Sequence, residues 1–260
     1  MAKTRTARPA ISDDALQELM TLLAGSDSVE LKLTVPDSDI RSTAVALGMD
    51  PLEAQLRQVF FFDTPALDLD RAGVVVRARR IQGKGADAVV KLRPVVPSQL
   101  PASLRGLEGF GVEVDAMPGG FVCSGRLKAA ADSDHVRLAS QGELPLRKLL
   151  SKEQRKLLRR HAPEGVDVDS LATLGPILVF KLRFTPEGLA RRLVAEAWLY
   201  PDGSRLLELS TRCGTGETFQ VAVEMRAFLT ARGVDLSGEQ ETKTRKALAY
   251  FASALEREAE

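Results

Sequence analysis

The chain has 260 residues, of which 44% are hydrophobic and 27% are charged, and its formal net charge is +1 at pH 7. This composition is typical of a soluble globular protein, and no apolar run approaches the roughly 20 residues of a transmembrane helix. The nearly neutral charge predicts no strong attraction of the whole protein to nucleic acid or to a membrane. Any recognition of charge must therefore be local.

The cysteines and histidines are isolated in the sequence. Cys123 and Cys213 form no C-x-x-C pair, so we expect free thiols and a reducing, cytoplasmic location. His135 and His161 have no neighbour at metal-ligand or triad spacing, which argues against a zinc site and against a histidine-activated nucleophile. The basic stretch "MAKTRTARPA" at the N-terminus lacks an apolar signal core, and we expect a disordered tail.

The first half of the chain predicts one helix, one strand, a short helix and a series of strands. Residues 12–24 have a serine cap, acids in the first turn and leucines at helical spacing. Residues 28–35, "SVELKLTV", alternate between apolar and polar side chains as a strand does. A short helix is expected between about 36 and 48. Further strands, separated by turn residues, are predicted at 58–62, 73–80, 88–93 and 111–116.

The second half predicts a helical segment, three strands and two helices. Ser151 and Gln154 have capping-box spacing in "SKEQRKLLRRHAP", and the basic face of that helix is most simply explained by solvation. Strands follow at 177–184, 192–200 and 205–212, and helices at 218–231 and 238–256. We expect a tail and helix over 1–25 and a single domain over 26–257, with a helical insertion at about 139–165.

Charged residues share one face in most predicted strands, while the opposite face is apolar. The pairs are Glu30 with Lys32, Arg77 with Arg79, Lys91 with Arg93, Glu113 with Asp115, and Lys181 with Arg183. An open sheet with one solvated face would explain the alternation. However, same-sign pairs repel, and solvated sheets carry more Thr, Ser and Gln. A closed barrel of about eight strands, with charges inside and helices outside, explains both features.

In order along the chain, "VELKL", "FFDTPALDLDRAGVVVRAR", "VVKLRP", "FKLR", "LLELS" and "ETKTRKAL" resemble the CYTH superfamily, the triphosphate tunnel metalloenzymes. The resemblance extends from about residue 28 to residue 252. It implies an α+β fold: a closed eight-stranded antiparallel β-barrel whose charged lumen binds triphosphate and whose outside is wrapped by α-helices. Family members hydrolyse inorganic triphosphate, thiamine triphosphate or RNA 5′-triphosphates, and some cyclise ATP.

The resemblance also implies roles for individual residues. Seven basic residues would bind phosphate oxygens: Lys32, Arg77, Arg79, Lys91, Lys181, Arg183 and Lys243. Glu30 and Glu208 would hold Mg²⁺ or Mn²⁺, and Glu113 and Asp115 would orient or activate water. Lys243 would lie near one mouth of the tunnel. Trp198 is two residues after Glu196 and so lies on the same face of the predicted strand. It could line or cap the tunnel or be buried in the wall.

The sequence departs from the family pattern at two acidic positions. Ser28 replaces the first Glu of E-x-E-x-K, and Ser210 replaces the second Glu of a later E-x-E pair. We therefore expect a metal-dependent triphosphatase that acts on inorganic tripolyphosphate or an organic triphosphate. The alternatives are a non-catalytic module that binds polyphosphate or a nucleotide, and an adenylyl cyclase. We expect a small triphosphate or polyphosphate ligand and neither nucleic acid nor membrane as partner; the oligomeric state is not predicted.

Overall fold

The computed structural model describes residues 13–236, 240 and 243–259, in which nine strands form a closed barrel. The predicted N-terminal tail, Ser12 and Gly238 lie outside the described residues. The strands are β1 (Ser28–Val35), β2 (Gln55–Asp63), β3 (Val74–Ile81), β4 (Gly85–Leu92), β5 (Phe110–Met117), β6 (Gly120–Ala131), β7 (Ala172–Phe184), β8 (Leu193–Leu199) and β9 (Arg205–Cys213). Around the barrel their order is β1-β5-β6-β4-β3-β2-β7-β8-β9.

The prediction of an eight-stranded, wholly antiparallel barrel was wrong in strand number and in one pairing. The additional strand is β6, whose glycine and small residues weaken the alternation signal. Strand direction reverses at each antiparallel pairing, so a closed ring of nine strands cannot be antiparallel throughout. The parallel pair is β1 with β5, where Glu30 lies opposite Asp115.

Helices cover much of the outside of the barrel. They are α1 (Asp13–Ala24), α2 (Ile40–Ala46), α3 (Asp68–Arg71), α4 (Ala102–Arg105), α5 (Ser133–Ser140), α6 (Leu146–Leu149), α7 (Lys152–His161), α8 (Thr218–Ala231) and α9 (Lys243–Ala259). Across the described ranges, no helix has both the length and the apolar composition needed to cross a membrane. The helices α5, α6 and α7 lie in or beside the segment predicted as an insertion.

The predicted capping box of α7 fixes this helix to the barrel. Ser151 Oγ accepts from the backbone N–H of Gln154 at 3.2 Å, and Gln154 Oε1 accepts from the backbone N–H of Ser151 at 3.0 Å. The fully buried amide of Gln154 also donates to the carbonyls of Ala88 and Leu127. A single side chain therefore caps the helix and joins it to β4 and β6.

The apolar side chains of the strands face outward, toward the helices. Val29 and Leu33 of β1 pack in one cluster with Leu19 and Leu23 of α1. A second cluster joins the outer side chains of β2, β3, β4 and β6 to α3, α5, α6 and α7. Burial of these apolar faces stabilises the closed barrel at about 25 cal/mol per Å². The predicted α+β class, the closed barrel and the helical coat are confirmed.

Candidate active site in the tunnel

The strand register brings the ionic side chains onto the inner face of the barrel. Residues that lie opposite each other on paired strands share a face. Lys32 lies opposite Ser210, Ser210 opposite Val194, and Val194 opposite Arg183. The inner face is therefore continuous from β1 through β9 and β8 to β7. We call the end of the lumen near Arg57, Arg183 and Arg212 the mouth.

Three carboxylates converge on the side of the lumen formed by β1 and β5. Glu30, Glu113 and Asp115 each offer one oxygen, and these oxygens lie within 4.8 Å of one another. Glu113 and Asp115 are buried, with 6% and 1% exposure, and Glu30 is half-buried. The cluster exists because the parallel pairing places Ser28 opposite Glu113 and Glu30 opposite Asp115. We call it the acidic cluster.

Basic side chains surround the acidic cluster. Asp115 is within 2.8 Å of Lys32 Nζ, 3.3 Å of Lys91 Nζ and 3.6 Å of Arg93 Nη2. Arg212 donates to Glu113, and Arg126 Nη2 lies 4.0 Å from the same carboxylate. Ser210 Oγ donates to Glu30 Oε1 at 2.9 Å, and Lys32 Nζ lies 3.2 Å from Glu30.

The pKa values within the acidic cluster diverge. Burial, followed by the neighbouring charges of Glu30 and Asp115, raises the pKa of Glu113. Burial also acts to raise the pKa of Asp115, but Lys32, Lys91 and Arg93 outweigh it and hold that pKa well below its usual range. Asp115 is thus held as an anion, whereas burial and the two neighbouring carboxylates disfavour the ionised form of Glu113.

The opposite wall of the lumen, on β2, β3 and β7, carries arginines. Arg79 forms a two-pronged bond to Asp87, with Nε–Oδ1 and Nη2–Oδ2 both at 2.8 Å. Among the described residues, Arg57, Arg77 and Arg183 form no ion pair, and the Nε atoms of Arg57 and Arg77 are buried without a hydrogen-bond partner. Burial and then the charge of Arg79 lower the pKa of Arg77 to about 10. This wall therefore has unneutralised positive charge.

Glu196 lies deeper in the lumen and binds two lysines. It accepts from Lys181 at 2.6 Å and from Lys243, which α9 contributes. Lys243 also donates to Glu208 at 2.8 Å and lies 5.4 Å from the centre of the Trp198 ring. Burial opposes ionisation of Glu196, but the charges of Lys243 and Lys181 outweigh it and hold its pKa well below the usual value.

The predicted site residues that belong to strands all lie on the inner face, and Lys243 reaches Glu208 from α9, but the structure groups these residues differently from the family pattern. Glu30 clusters with Glu113 and Asp115, whereas Glu208 contacts Lys243. Lys32 and Lys91 bind Asp115, Arg79 binds Asp87, and Lys181 and Lys243 bind Glu196. Arg77 and Arg183 lie on the arginine wall. Their roles in catalysis, in substrate binding and in metal binding remain predictions.

Several inner-face residues were not assigned to the site from the sequence: Arg57, Asp87, Arg93, Arg126, Lys128, Glu196 and Arg212. Arg126 and Lys128 lie on β6, the strand that was missed. Asp87 shares the phase of Lys91, four residues later, so the alternation could have identified it. Trp198 proves to be buried inside the barrel, at 2% exposure.

The acidic cluster has the chemistry of a site for Mg²⁺ or Mn²⁺. These ions prefer carboxylate oxygens and commonly use only one or two protein carboxylates together with phosphate oxygens and water. Burial, followed by the neighbouring carboxylates of Glu30 and Asp115, raises the pKa of Glu113 and so disfavours its ionised form; a divalent cation bound there would offset this effect. The donor set therefore fits a divalent ion.

Solved structures provide the comparison with known proteins. A protein from Bacillus halodurans, named as a candidate adenylate cyclase, matches with a TM-score of 0.58 and 14% identity over 85% of this chain and 97% of its own. HpAC1 from Hippeastrum, a candidate adenylyl cyclase with a dominant triphosphatase activity, matches with a TM-score of 0.57 and 20% identity over 86% of this chain and 95% of its own. No protein-family model matches the sequence, and no curated protein matches it.

The barrel and its lumen define a closed β-tunnel protein with an ionic interior and a helical coat. At this level of identity the comparisons establish the fold. The chain shares its fold with these two proteins, in agreement with the fold that the resemblance stated above implies.

Proposed function

We propose that this protein is a metal-dependent triphosphatase that binds inorganic tripolyphosphate or an organic triphosphate inside the tunnel. The proposal rests on how charge is distributed in the lumen, with positive side chains on one wall and carboxylates on the other. Arginines on β2, β3 and β7 that form no ion pair with any described residue lie across the barrel from the acidic cluster on β1 and β5. A phosphate chain between the two walls would contact guanidinium groups on one side and a site for a divalent ion on the other.

The residues of this chain have distinct parts in the proposed reaction. Arg57, Arg77 and Arg183 bind phosphate oxygens, since guanidinium groups match the geometry of phosphate and these three form no ion pair within the part of the chain that the structure describes. Glu30, Glu113 and Asp115 would hold the divalent ion, which would neutralise charge that develops on the phosphate oxygens.

The attacking water needs a residue that orients it. Glu113 and Asp115 are the candidates, because both lie beside the position expected for the phosphate chain and both are buried. Asp115 also holds Lys32 and Lys91 in place, so these two ammonium groups are positioned beside the acidic cluster.

Release of phosphate from tripolyphosphate, ATP and thiamine triphosphate tests the proposal, with Mg²⁺, with Mn²⁺ and with a chelator. The proposal requires release that depends on the divalent ion. Tight binding of tripolyphosphate with no release under either metal would favour the non-catalytic module, which the serines at 28 and 210 motivate.

Ser210→Glu and Ser28→Glu test whether the absence of acids at these two positions weakens metal binding and slows turnover. Ser210 Oγ already contacts Glu30 Oε1, so a carboxylate at position 210 would extend the acidic cluster. We expect higher turnover and stronger binding of Mn²⁺ in these variants. An unchanged rate would show that these positions do not contribute to the metal site.

Adenylyl cyclase activity is the second candidate function, because both solved structures reported above carry that name as candidates. The same ATP reactions, analysed for cyclic AMP and pyrophosphate rather than for phosphate, distinguish the two activities. Formation of ADP and phosphate without cyclic AMP supports the triphosphatase.

A further inference from the structure

A groove on the outside of the barrel lies between helix α7 and residues 92–107, which begin at the end of β4. Its volume of 480 Å³ is within the range of sites that bind small organic molecules. Leu92, its lining residue on β4, belongs to the apolar cluster between the strands and the helical coat. The groove is therefore separate from the ionic lumen, and we call it the α7 groove.

Much of the lining of the α7 groove is apolar. The aliphatic side chains come from β4, from α7 and from the segment between β4 and β5: Leu92, Val95, Leu100, Leu104, Leu107 and Leu157. Leu92 and Leu157 are almost fully buried, whereas Val96, which also lines the groove, is 38% exposed. A concave apolar surface of this kind favours a ligand with an apolar body, because binding removes both surfaces from water.

One face of α7 supplies the charged part of the lining. Glu153, Lys156 and Arg160 lie on the same side of the helix, because they are spaced by three and four residues. Lys156 and Arg160 are exposed and form no ion pair within the described part of the chain. His161 also lines the groove, and burial followed by the charge of Arg160 lowers its pKa, so it is neutral at pH 7. Two cations and one carboxylate leave one net positive charge.

Both walls of the α7 groove are held in place by other contacts. Arg105 Nη2 donates to the carbonyl of Gly25 at 2.7 Å and to that of Pro97 at 2.9 Å. Pro94 and Pro101, which line the groove, restrict the backbone on the same side. The opposite wall, α7, is joined to the barrel by its capping-box glutamine. A site that is already formed loses little conformational entropy when a ligand binds.

The N-terminal segment of this chain does not complement the α7 groove. Residues 1–12 contain Lys3, Arg5 and Arg8 and no acidic residue. Their charge would be repelled by Lys156 and Arg160. The complementary occupant is therefore a separate molecule that has an apolar body and carries negative charge.

We propose that the α7 groove binds a small organic monocarboxylate, with its apolar body against the leucines and its carboxylate between Lys156 and Arg160. One net positive charge matches the single negative charge of a carboxylate better than the charge of about −1.5 to −2 on a phosphate monoester. Arg160 can bind both carboxylate oxygens through its planar guanidinium group, and Lys156, one helical turn away, adds a second charge. This site does not depend on the reaction proposed for the tunnel.

Ligands that share an apolar body but differ in the head group test this proposal on the unmodified protein. Isothermal titration compares octanoate with octanol, and 2-naphthoate with 2-naphthol, for a chain-like and a flat apolar body. We expect at least one carboxylate to bind with one-to-one stoichiometry, and its uncharged counterpart at least about tenfold more weakly. Equal binding of the charged and uncharged compounds, or binding of neither carboxylate, overturns the proposal. Octyl phosphate that binds more tightly than octanoate overturns the choice of a monocarboxylate.

A pair of neighbouring substitutions locates the bound carboxylate. Arg160→Gln removes an exposed charge from the α7 groove, so we expect the affinity for the carboxylate to fall about tenfold while Tm stays close to the wild-type value. Arg159→Gln is the matched control, because Arg159 is equally exposed on the same helix but does not line the groove. The control should keep the wild-type affinity. An equal loss in both variants, or no loss in Arg160→Gln, would place the carboxylate elsewhere and overturn the proposal.

Discussion

Replacing Glu196 with Gln should destabilise the empty protein and increase its stabilisation by tripolyphosphate. Glu196 is 7% exposed and neutralises two lysines whose side chains are each 14% exposed, with Lys181 at 2.6 Å. Removing one partner of a buried ion pair costs about 3–5 kcal/mol. We expect the lower value, about 3 kcal/mol, because Lys243 keeps its contact with Glu208 at 2.8 Å. At about 2 °C per kcal/mol for a chain of this size, Tm should fall by about 6 °C.

Thermal denaturation with and without tripolyphosphate measures both effects. The anion should raise Tm more in Glu196→Gln than in the wild type, because Lys181, which loses its partner in the variant, can bind phosphate. Asp37→Asn is the control, since Asp37 pairs with Arg205 at 2.8 Å but is 48% exposed, and such a pair contributes at most about 1 kcal/mol. A Tm unchanged from the wild type, or equal shifts with the anion, would refute the role assigned to Glu196.

Three further substitutions test other parts of the lumen. Arg77→Met removes a half-buried charge that lies beside Arg79 and forms no ion pair among the described residues, so Tm should rise while affinity for tripolyphosphate falls about tenfold, measured by titration calorimetry. Weaker binding with a lowered Tm would contradict this. Glu113→Gln should lower metal-dependent phosphate release about 100-fold, whereas the exposed control Glu53→Gln should not change it. Burial opposes ionisation of Asp87, but Arg79 lowers its pKa. The wild type should therefore have a higher free energy of unfolding than Asp87→Asn, and this difference should be complete above about pH 4, the pKa of an aspartate in the unfolded chain. The difference should disappear as the pH falls through the lower pKa of Asp87 in the folded protein. Urea unfolding at several pH values measures this, and a difference that grows toward low pH would be contrary to it.

The side on which the charges lie could be predicted from the sequence, because alternation along a strand is a local property. In "SVELKLTV" the phase alone separates Glu30 and Lys32 from Val29 and Leu33. That the charged face is enclosed followed from repulsion between like charges in one strand, as with Arg77 and Arg79. The structure bears out this inference.

The grouping of residues across the lumen could not be predicted, because it depends on pairings between distant segments. The acidic cluster requires β1 and β5 to be parallel, and that pairing follows from the ninth strand, β6. The sequence of β6 contains Gly125 and three consecutive alanines, so its alternation is weak. Likewise, the contacts of Glu208 and Glu196 with Lys243 depend on where α9 packs.

The apolar cluster around Trp198, which includes Val59, Phe61 and Leu206, shows what alternation along one strand does not predict. Trp198 shares the phase of Glu196, so the sequence placed both on one face without showing that the face changes from ionic to apolar along the barrel. That change appears only when several strands are aligned, because each contributes one or two apolar residues, such as Val59, Phe61 and Leu206, at the same end.

A crystal structure with tripolyphosphate and Mn²⁺, using anomalous diffraction to locate the metal, tests the central claim most directly. We expect phosphate density inside the barrel against Arg77 and Arg183, and a manganese peak about 2 Å from oxygens of Glu30, Glu113 or Asp115. Phosphate bound only to the outer basic face of α7, at residues such as Lys156 and Arg159, with an empty lumen would contradict it.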